Sequence, residues 1–232
     1  MPRSLLAAVV AALAALTPAA AAHAAPTLSF DKPCYSAGDT MSFSGTGYTP
    51  GGAVQVMFRS PETERVGSYD AQADAAGAIA GSLDSPREDV FLKDDAFDGM
   101  IGVSANDRTR IDAQTASPEE QFAGTVFQLS RFEVQLERPS GRRPRAAKPL
   151  SIRAVGFTNA RGRTLYLHYR RGARTVKTVR IGRLAGPCGD RSRMLRRALP
   201  RGLRPGTYTL VFNTSRRDPD LAPTIWHRLR LR

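Results

Sequence analysis

Apolar and polar residues alternate in short runs along most of this chain, and turn-forming residues separate the runs. A period of two is typical of half-buried β-strands, and no run shows a convincing helical period. The pattern predicts seven strands between residues 26 and 130 and seven more in residues 131–232. They cover residues 27–30, 41–47, 53–59, 67–73, 78–83, 100–105, 121–129, 132–136, 150–154, 164–170, 175–181, 194–198, 207–213 and 224–231. Seven short strands in about 100 residues are the number expected for one β-sandwich.

The two halves carry the same order of features, which indicates an internal repeat. In residues 41–48 and again in residues 150–157, an alternating strand leads to a glycine and then to an aromatic residue. The strand that follows has an apolar residue at every second position. The repeat pairs Val54, Val56 and Phe58 with Leu165, Leu167 and Tyr169. We expect both triplets to face a core in the same register.

Three turn motifs give the repeat a family resemblance. They are Gly45-Thr46-Gly47-Tyr48-Thr49-Pro50-Gly51-Gly52, the turn Asp74-Ala75-Ala76-Gly77, and Pro205-Gly206-Thr207-Tyr208. In these motifs the chain resembles the immunoglobulin-like (Ig-like) domains that occur in tandem in exported actinobacterial proteins. The resemblance implies an all-β fold of two consecutive Ig-like β-sandwich domains with a surface location. It brings no active site with it.

The N-terminus has the three regions of a secretory signal. A basic residue, Arg3, precedes an apolar run over residues 5–16, and small residues follow over residues 19–25. The segment Ala22-His23-Ala24 predicts cleavage after Ala24, which makes residues 1–24 the signal peptide. An uncleaved anchor is the alternative, but Pro18 interrupts the run before the roughly 20 apolar residues that a span needs. We expect a secreted or cell-surface protein, with no transmembrane segment after cleavage and with domains at 25–130 and 131–232.

The net charge of +13 is divided very unevenly along the chain. Residues 26–130 hold seven Lys and Arg against sixteen Asp and Glu, whereas residues 131–232 hold twenty-six against five. A GC-rich genome would explain why most of the basic residues are Arg. It would not explain why the acidic residues gather in the other half. The asymmetry predicts that the second domain attracts polyanions and that the acidic first domain shields part of its charge.

Eight residues of the second domain are the candidates for that attraction. Most of them lie in predicted strands whose polar face would carry the charge, with Trp226 beside Arg228 and Arg230. A cation–π stack on the sheet is the modest interpretation of Trp226, and a binding platform is the bolder one. The candidate residues are Arg170, Arg171, Arg174, Lys177, Arg180, Trp226, Arg228 and Arg230. The expected partner is an anionic cell-wall polymer or polysaccharide, and no motif for specific nucleic-acid binding is present.

Catalytic chemistry finds little support in the sequence. After signal cleavage two histidines are left: alternation points His168 outward into solvent, and it places His227 on a partly buried face. The nucleophile elbow, the zinc-protease motif and the phosphate loop are all missing, so we expect neither an enzyme nor a cofactor. A carboxylate pair in the acidic half would escape detection by sequence.

One group of oxygen ligands is a candidate for calcium. Two loops that meet at one end of a sandwich could supply hard ligands, although their spacing matches no known calcium loop and a solvated acidic loop is the stronger interpretation. These residues are Asp94, Asp95, Asp98, Asn106 and Asp107.

The two cysteines, Cys34 and Cys188, lie one in each predicted domain. In an oxidising compartment two cysteines allow one intramolecular pairing, so we expect a disulfide between the domains. The alternatives are that each cysteine is a small buried core residue or that one of them pairs with a cysteine of another chain.

Three functions are compatible with these features. The first is an exported, non-enzymatic interaction or structural protein of the cell envelope or medium. The second is a binding module for carbohydrate or anionic polymer that uses the basic second domain. The third is an enzyme whose site the sequence does not reveal.

Overall fold

The computed structural model describes residues 24–114, 117–137 and 146–231, and the predicted signal peptide falls almost wholly outside these ranges. Nearly all of the regular structure is β-strand, as the alternating pattern predicts. The strands are β1 (Ser29–Phe30), β2 (Cys34–Ser36), β3 (Thr40–Gly45), β4 (Ala53–Arg59), β5 (Val66–Gln72), β6 (Ile79–Asp84), β7 (Asp98–Asp107), β8 (Phe122–Ser130), β9 (Glu133–Glu137), β10 (Leu150–Val155), β11 (Thr164–Arg171), β12 (Arg174–Arg183), β13 (Arg191–Leu195), β14 (Gly206–Asn213) and β15 (Ile225–Leu231).

Short helices interrupt the strands at four places. They are α1 (Glu88–Phe91), α2 (Arg108–Ala113), α3 (Pro118–Gln121) and a single 3-10 turn at Thr158–Ala160. Within the described ranges, no helix is long and apolar enough to cross a membrane.

The strands form four sheets, which fall into two pairs. The N-terminal pair has the strand orders β1-β3-β6 and β2-β8-β7-β4-β5, and the C-terminal pair has the orders β9-β10-β13 and β12-β11-β14-β15. Strand for strand, the two pairs follow the same plan, except that β2 is an additional edge strand in the first. This arrangement confirms the all-β sandwich fold. The domain limits at 25–130 and 131–232 stay a prediction.

Each sheet pair encloses its own hydrophobic cluster, to which both of its sheets contribute. In the first, Met41 and Ile79 of the three-stranded sheet meet Val56 and Phe127 of the five-stranded sheet. In the second, side chains of β10 and β13 pack against those of β11, β14 and β15. Burial of apolar area on facing sheets is the main stabilising contribution in such a fold.

The register of the repeat is the predicted one. Val54, Val56 and Phe58 are at most 3% exposed, and Leu165, Leu167 and Tyr169 are fully buried. Their strands, β4 and β11, occupy the same position in their sheets. A slip of one residue would have turned either triplet to the outer face.

The glycines that follow β3 and β10 have the same role in both halves. Gly47 and Gly156 adopt φ angles of +88° and +74°, a region that favours glycine. A Cβ on Gly47 would lie 2.9 Å from the Ala25 carbonyl oxygen, and one on Gly156 would lie 2.1 Å from that of Arg131. In each half the chain that leads into the first strand therefore passes directly over this glycine.

Two strands differ from the prediction, and the short helices were not predicted. The pattern did not indicate β2, whose three residues are all buried and which runs parallel to β8. The strand predicted at 194–198 forms at Arg191–Leu195, so that Leu195 faces the core.

Candidate functional site

The candidate site is the outer face of the β12-β11-β14-β15 sheet, the face turned away from the C-terminal core. Strand pairing fixes its rows of side chains. Arg170 on β11 lies opposite Thr209 on β14, which in turn lies opposite Arg228 on β15. The adjacent row holds His168, Val211 and Trp226.

The connection between β14 and β15, residues 214–224, lies over the middle of this face. It explains why His168 is fully buried and not solvated as predicted. The imidazole Nε2 lies 2.9 Å from the Ser215 carbonyl oxygen and 3.1 Å from Asn213 Oδ1, and Nδ1 lies 3.0 Å from Thr178 Oγ1. Because a carbonyl oxygen only accepts, Nε2 carries the proton and Nδ1 accepts from the threonine hydroxyl.

The same connection places a carboxylate beside the first row of side chains. Arg170 donates from Nη1 to Asp220 Oδ1 at 2.6 Å and from Nη2 to the Ala173 carbonyl oxygen at 3.0 Å. Its side chain is 19% exposed, whereas that of Asp220 is 71% exposed. The cation of Arg170 is thus engaged within the chain, and the carboxylate of Asp220 still faces solvent.

Trp226 borders a groove on this face. The indole is 71% exposed, although Val211 opposite it on β14 is buried. The groove has a volume of about 440 Å³, and its remaining wall consists of Arg170, Gly172, Thr209, Asp220 and Thr224. Aromatic surface, two hydroxyls and one ion pair thus meet in a single concave place.

The predicted cations do not form one patch. Arg174 and Arg180 lie on β12 and Arg228 and Arg230 on β15, the two opposite edges of the sheet. Three strand spacings of about 4.8 Å separate these edges, which gives about 14 Å. Lys177 pairs with the core residue Tyr169, and paired residues point to the same side of a sheet. Lys177 therefore lies on the inner side of the β12 edge and not on the outer face.

Arg171 has a structural role, and its side chain does not lie on the outer face. Its guanidinium stacks on the ring of Tyr208 at 5.0 Å and donates to the carbonyl oxygens of Arg204 and Pro205. The predicted stack on the indole does not form: cation–π contacts occur at three places in the described ranges, and Trp226 takes part in none of them.

Arg228 and Arg230 are the exposed cations of the β15 edge. Both alternate with core residues along the strand, so their side chains point outward with that of Trp226. Ion pairs within the described ranges involve Arg87, Arg110 and Arg170, and neither residue of β15 has a carboxylate partner there.

The second histidine occupies the environment that the sequence predicts. His227 is partly buried on the inner face of β15, with its ring edge-on to Phe212 at 6.2 Å between centroids.

The calcium interpretation is wrong, for a geometric reason. Asp98 and Asp107 begin and end the same ten-residue strand, so their loops lie at opposite ends of the sheet, about 30 Å apart. Asp107 is fully buried and accepts from Thr49 and Arg110. In the described part of the chain, no cluster of His, Cys, Asp or Glu could hold a metal ion.

A covalent bond joins the two sheet pairs. Cys34 on β2 and Cys188 form a disulfide with 5.2 Å between their Cα atoms, as the cysteine count predicts. Beside it, the buried carboxylate of Asp39 accepts from Thr158 Oγ1 at 2.7 Å and from Asn159 Nδ2 at 2.6 Å. These contacts, donated from the second half to the first, fix the junction with charge-assisted hydrogen bonds.

Burial also affects a carboxyl group close to the disulfide. Asp190 accepts from the Gly156 amide at 3.2 Å. Loss of hydration and then the carboxylate of Asp98 raise the pKa of Asp190 above its ordinary value. This group belongs to the junction and lies outside the groove.

Comparisons with known proteins place few constraints on this chain. No protein-family model matches it, and no curated protein matches it. Among solved structures it is similar to the tetra-tandem repeat in the extending region of a large adhesion protein, at 16% identity and a TM-score of 0.30, over 89% of this chain and 49% of the other. It is also similar to trypsin-activated α-2-macroglobulin from Escherichia coli, at 14% identity and a TM-score of 0.31, over 89% of this chain and 15% of the other.

A third similar structure is red sea bream transglutaminase, at 14% identity and a TM-score of 0.29, over 90% of this chain and 31% of the other. The chain spans about half or less of the length of each of the three proteins. At these TM-scores the likenesses carry no argument, so the fold assignment depends on the sheet order and the two cores alone.

Proposed function

We propose that this protein is an exported, non-enzymatic interaction protein of the cell envelope or extracellular space, and that its C-terminal sheet binds an anionic polymer. One observation carries the proposal: Arg228 and Arg230 project into solvent from an edge strand and have no carboxylate partner in the described part of the chain. Exposed cations of this kind gain most from an external polyanion.

The spacing of these cations suits a linear ligand. Alternate residues of a strand lie about 6.6 Å apart on one face, so Arg228 and Arg230 can contact successive charges of an extended polymer. Across the sheet, about 14 Å away, Arg180 on β12 lies on the same face, because its strand partner is the outward-facing Tyr166. A polymer that crosses the face would meet the two arginines of β15 and then Arg180.

The histidines support a role without catalysis. All three hydrogen bonds of the His168 ring are to groups of the same chain, and His227 packs against Phe212 in the core. The hydrogen bonds of His168 therefore give its ring a structural function and leave it unavailable for proton transfer to a substrate.

An extracytoplasmic location is supported by the Cys34–Cys188 disulfide, because such bonds persist in oxidising compartments. The acidic N-terminal half would then weaken non-selective binding of the mature protein to polyanions, since its charge opposes that of the C-terminal half.

The test is elution of the full mature chain from immobilised poly(glycerol phosphate) by a salt gradient, with neutral dextran as the blank support. The double variant Arg228→Gln/Arg230→Gln should elute at lower salt, and the slope of log affinity against log salt should fall by about 1–2.

The control Arg196→Gln/Arg197→Gln removes the same charge from an exposed turn and should change elution less. Equal effects of the two double variants would show that only net charge matters, and the proposed surface would be wrong.

A further inference from the structure

The groove beside Trp226 has a chemistry different from that of the exposed arginines at the sheet edges. Its ion pair, Arg170 with Asp220, is locally neutral, and its floor includes the hydroxyl of Thr209. We infer that this groove is a subsite for one neutral pyranose ring. The inference rests on the proposed function in one respect, that the ligand is an extracellular polymer, and it adds that this polymer is built partly of sugar.

The indole of Trp226 provides the apolar half of such a subsite. A pyranose has a face of C–H groups, and a flat exposed aromatic ring on a sheet is the side chain that matches this face. Trp226 is 71% exposed, which is unusual for so large an apolar group on a soluble protein. A ligand on the ring would remove that surface from water.

The opposite wall of the groove provides the polar half. The hydroxyl groups of a sugar donate and accept together, so the wall that binds them must do both. Asp220 presents an exposed carboxylate as the acceptor, and the Thr209 hydroxyl can donate or accept. The Thr224 hydroxyl donates to the Leu221 carbonyl oxygen at 2.6 Å, so it serves a ligand as an acceptor. A few polar groups that converge on an apolar surface are typical of small-ligand sites.

Buried polar side chains hold this wall in place. Asn213, which is fully buried, donates from Nδ2 to the Asp218 carbonyl oxygen at 2.8 Å and accepts from the Ser215 amide at 3.0 Å. Asp218 Oδ1 then accepts from the Asp220 amide at 3.0 Å. His168 adds its bond to Ser215 from below. These groups are positioning residues, because they fix the connection that carries Asp220 before a ligand arrives.

Neutrality distinguishes this subsite from the exposed arginines at the sheet edges. Salt weakens the attraction between exposed charges that a polyanion needs, but it has little effect on stacking or on hydrogen bonds to uncharged hydroxyls. A single ring has about 12 non-hydrogen atoms, so its dissociation constant should be on the order of 1 mM.

The assay uses the emission of Trp226, which is the only tryptophan of the chain. The full mature protein is titrated with neutral tetrasaccharides of glucose, mannose, galactose or N-acetylglucosamine, at low and at high sodium chloride. We expect at least one of the four to change the emission with saturation and to bind equally, within twofold, at the two salt concentrations.

Substitutions locate the binding. By calorimetry, Trp226→Ala should abolish binding of the effective tetrasaccharide and Trp226→Phe should weaken it less. Asp220→Asn should weaken it at least fivefold. The exposed aromatic Phe122 lies in the other sheet pair, so Phe122→Ala is the matched control and should leave the affinity unchanged.

The outcomes separate this inference from the proposed function. If none of the four sugars changes the emission, or if Asp220→Asn binds as the parent does, the subsite is wrong whatever the polyanion column shows. If a sugar binds at Trp226 while Arg228→Gln/Arg230→Gln elutes unchanged, the subsite stands and the anionic-polymer function fails.

Discussion

The buried pair of Asp107 and Arg110 offers the sharpest test of what holds the N-terminal sheet pair together. Asp107 is fully buried at the end of β7, and it accepts from the Thr49 amide at 2.7 Å, from Thr49 Oγ1 at 2.9 Å and from the Arg110 amide at 3.2 Å. Its carboxylate lies 3.3 Å from Arg110 Nε. The substitution Asp107→Ala removes all four of these interactions.

The magnitude follows from the burial of the remaining cation. Arg110 is 8% exposed, and its two Nη atoms donate to the carbonyl oxygens of Glu120 and Gly47 at 2.6 and 2.9 Å. Those bonds hold the guanidinium in place after the substitution, so its charge stays buried without a counter-ion. Breaking a buried pair in this way costs about 3–5 kcal/mol. That is a large share of the roughly 5–15 kcal/mol by which a domain is stable.

Asp89→Ala is the matched control. It breaks the other short Asp–Arg pair of the same half, in which the side chains of Arg87 and Asp89 are 78% and 59% exposed. Water already solvates both charges there, so the free energy of unfolding should fall much less than it does for Asp107→Ala.

Urea unfolding read by two signals measures both effects. Far-ultraviolet circular dichroism reports every sheet, whereas the single tryptophan, Trp226, reports β15 alone. If residues 25–130 and 131–232 are separate domains, Asp107→Ala should lower the dichroism midpoint and leave the fluorescence midpoint unchanged. A loss for Asp107→Ala no larger than that for Asp89→Ala would refute the buried-pair argument. A shared shift of both midpoints would refute the domain limits.

Three further predictions concern turns, the junction and pH. Gly77→Ala would place a Cβ 2.3 Å from the Tyr48 carbonyl oxygen. The control Gly51→Ala has a similarly positive φ, but its Cβ would meet no atom within 4 Å. In urea unfolding, Gly77→Ala should therefore be less stable than Gly51→Ala by at least about 1 kcal/mol. Equal losses would contradict the contact. The non-reduced protein should yield no titratable thiol, and two free thiols would contradict the pairing. Reduction should lower the free energy of unfolding by up to about 5 kcal/mol, which is the chain-entropy value for so long a loop. The raised pKa of Asp190 means that the folded state binds its proton more tightly than the unfolded state, so this group favours folding at low pH and loses that contribution as pH rises through the raised pKa. The free energy of unfolding of Asp190→Asn, minus that of the parent, should therefore be larger at pH 7 than at pH 3.5. A difference that is the same at both pH values would contradict this prediction.

Local pattern was sufficient for most strands, because alternation and glycine turns are properties of adjacent residues. The triplets at Val54 and Leu165 took the predicted register since any slip would have exposed them. Strand β2 was invisible for the opposite reason. Its three residues are all buried, so they do not alternate, and its partner β8 lies more than ninety residues further along the chain.

The candidate site was harder to predict, because its environment comes from a connection and not from a strand. Alternation correctly turned His168 to the outer face, yet it could not show that residues 214–224 lie over that face. The same connection brings Asp220 to Arg170, fifty residues away in sequence, and so removes one cation from the predicted set. Net charge predicted an electropositive half, whereas pairing between distant side chains decided which cations remained exposed.

The two halves use the connection before their last strand in different ways. Between β7 and β8 it forms α2 and α3 and closes the end of the sheet pair through Asp107 and Arg110. Between β14 and β15 it lies over the outer face and forms the wall of the groove. Both connections begin at a fully buried Asx side chain, Asp107 or Asn213, which accepts from an amide two or three residues further on. The two halves thus share their strands, their cores and the start of this connection, whereas the rest of the connection differs between them. Because the groove depends on that differing part, we expect the C-terminal half, and not its N-terminal counterpart, to hold the neutral ligand.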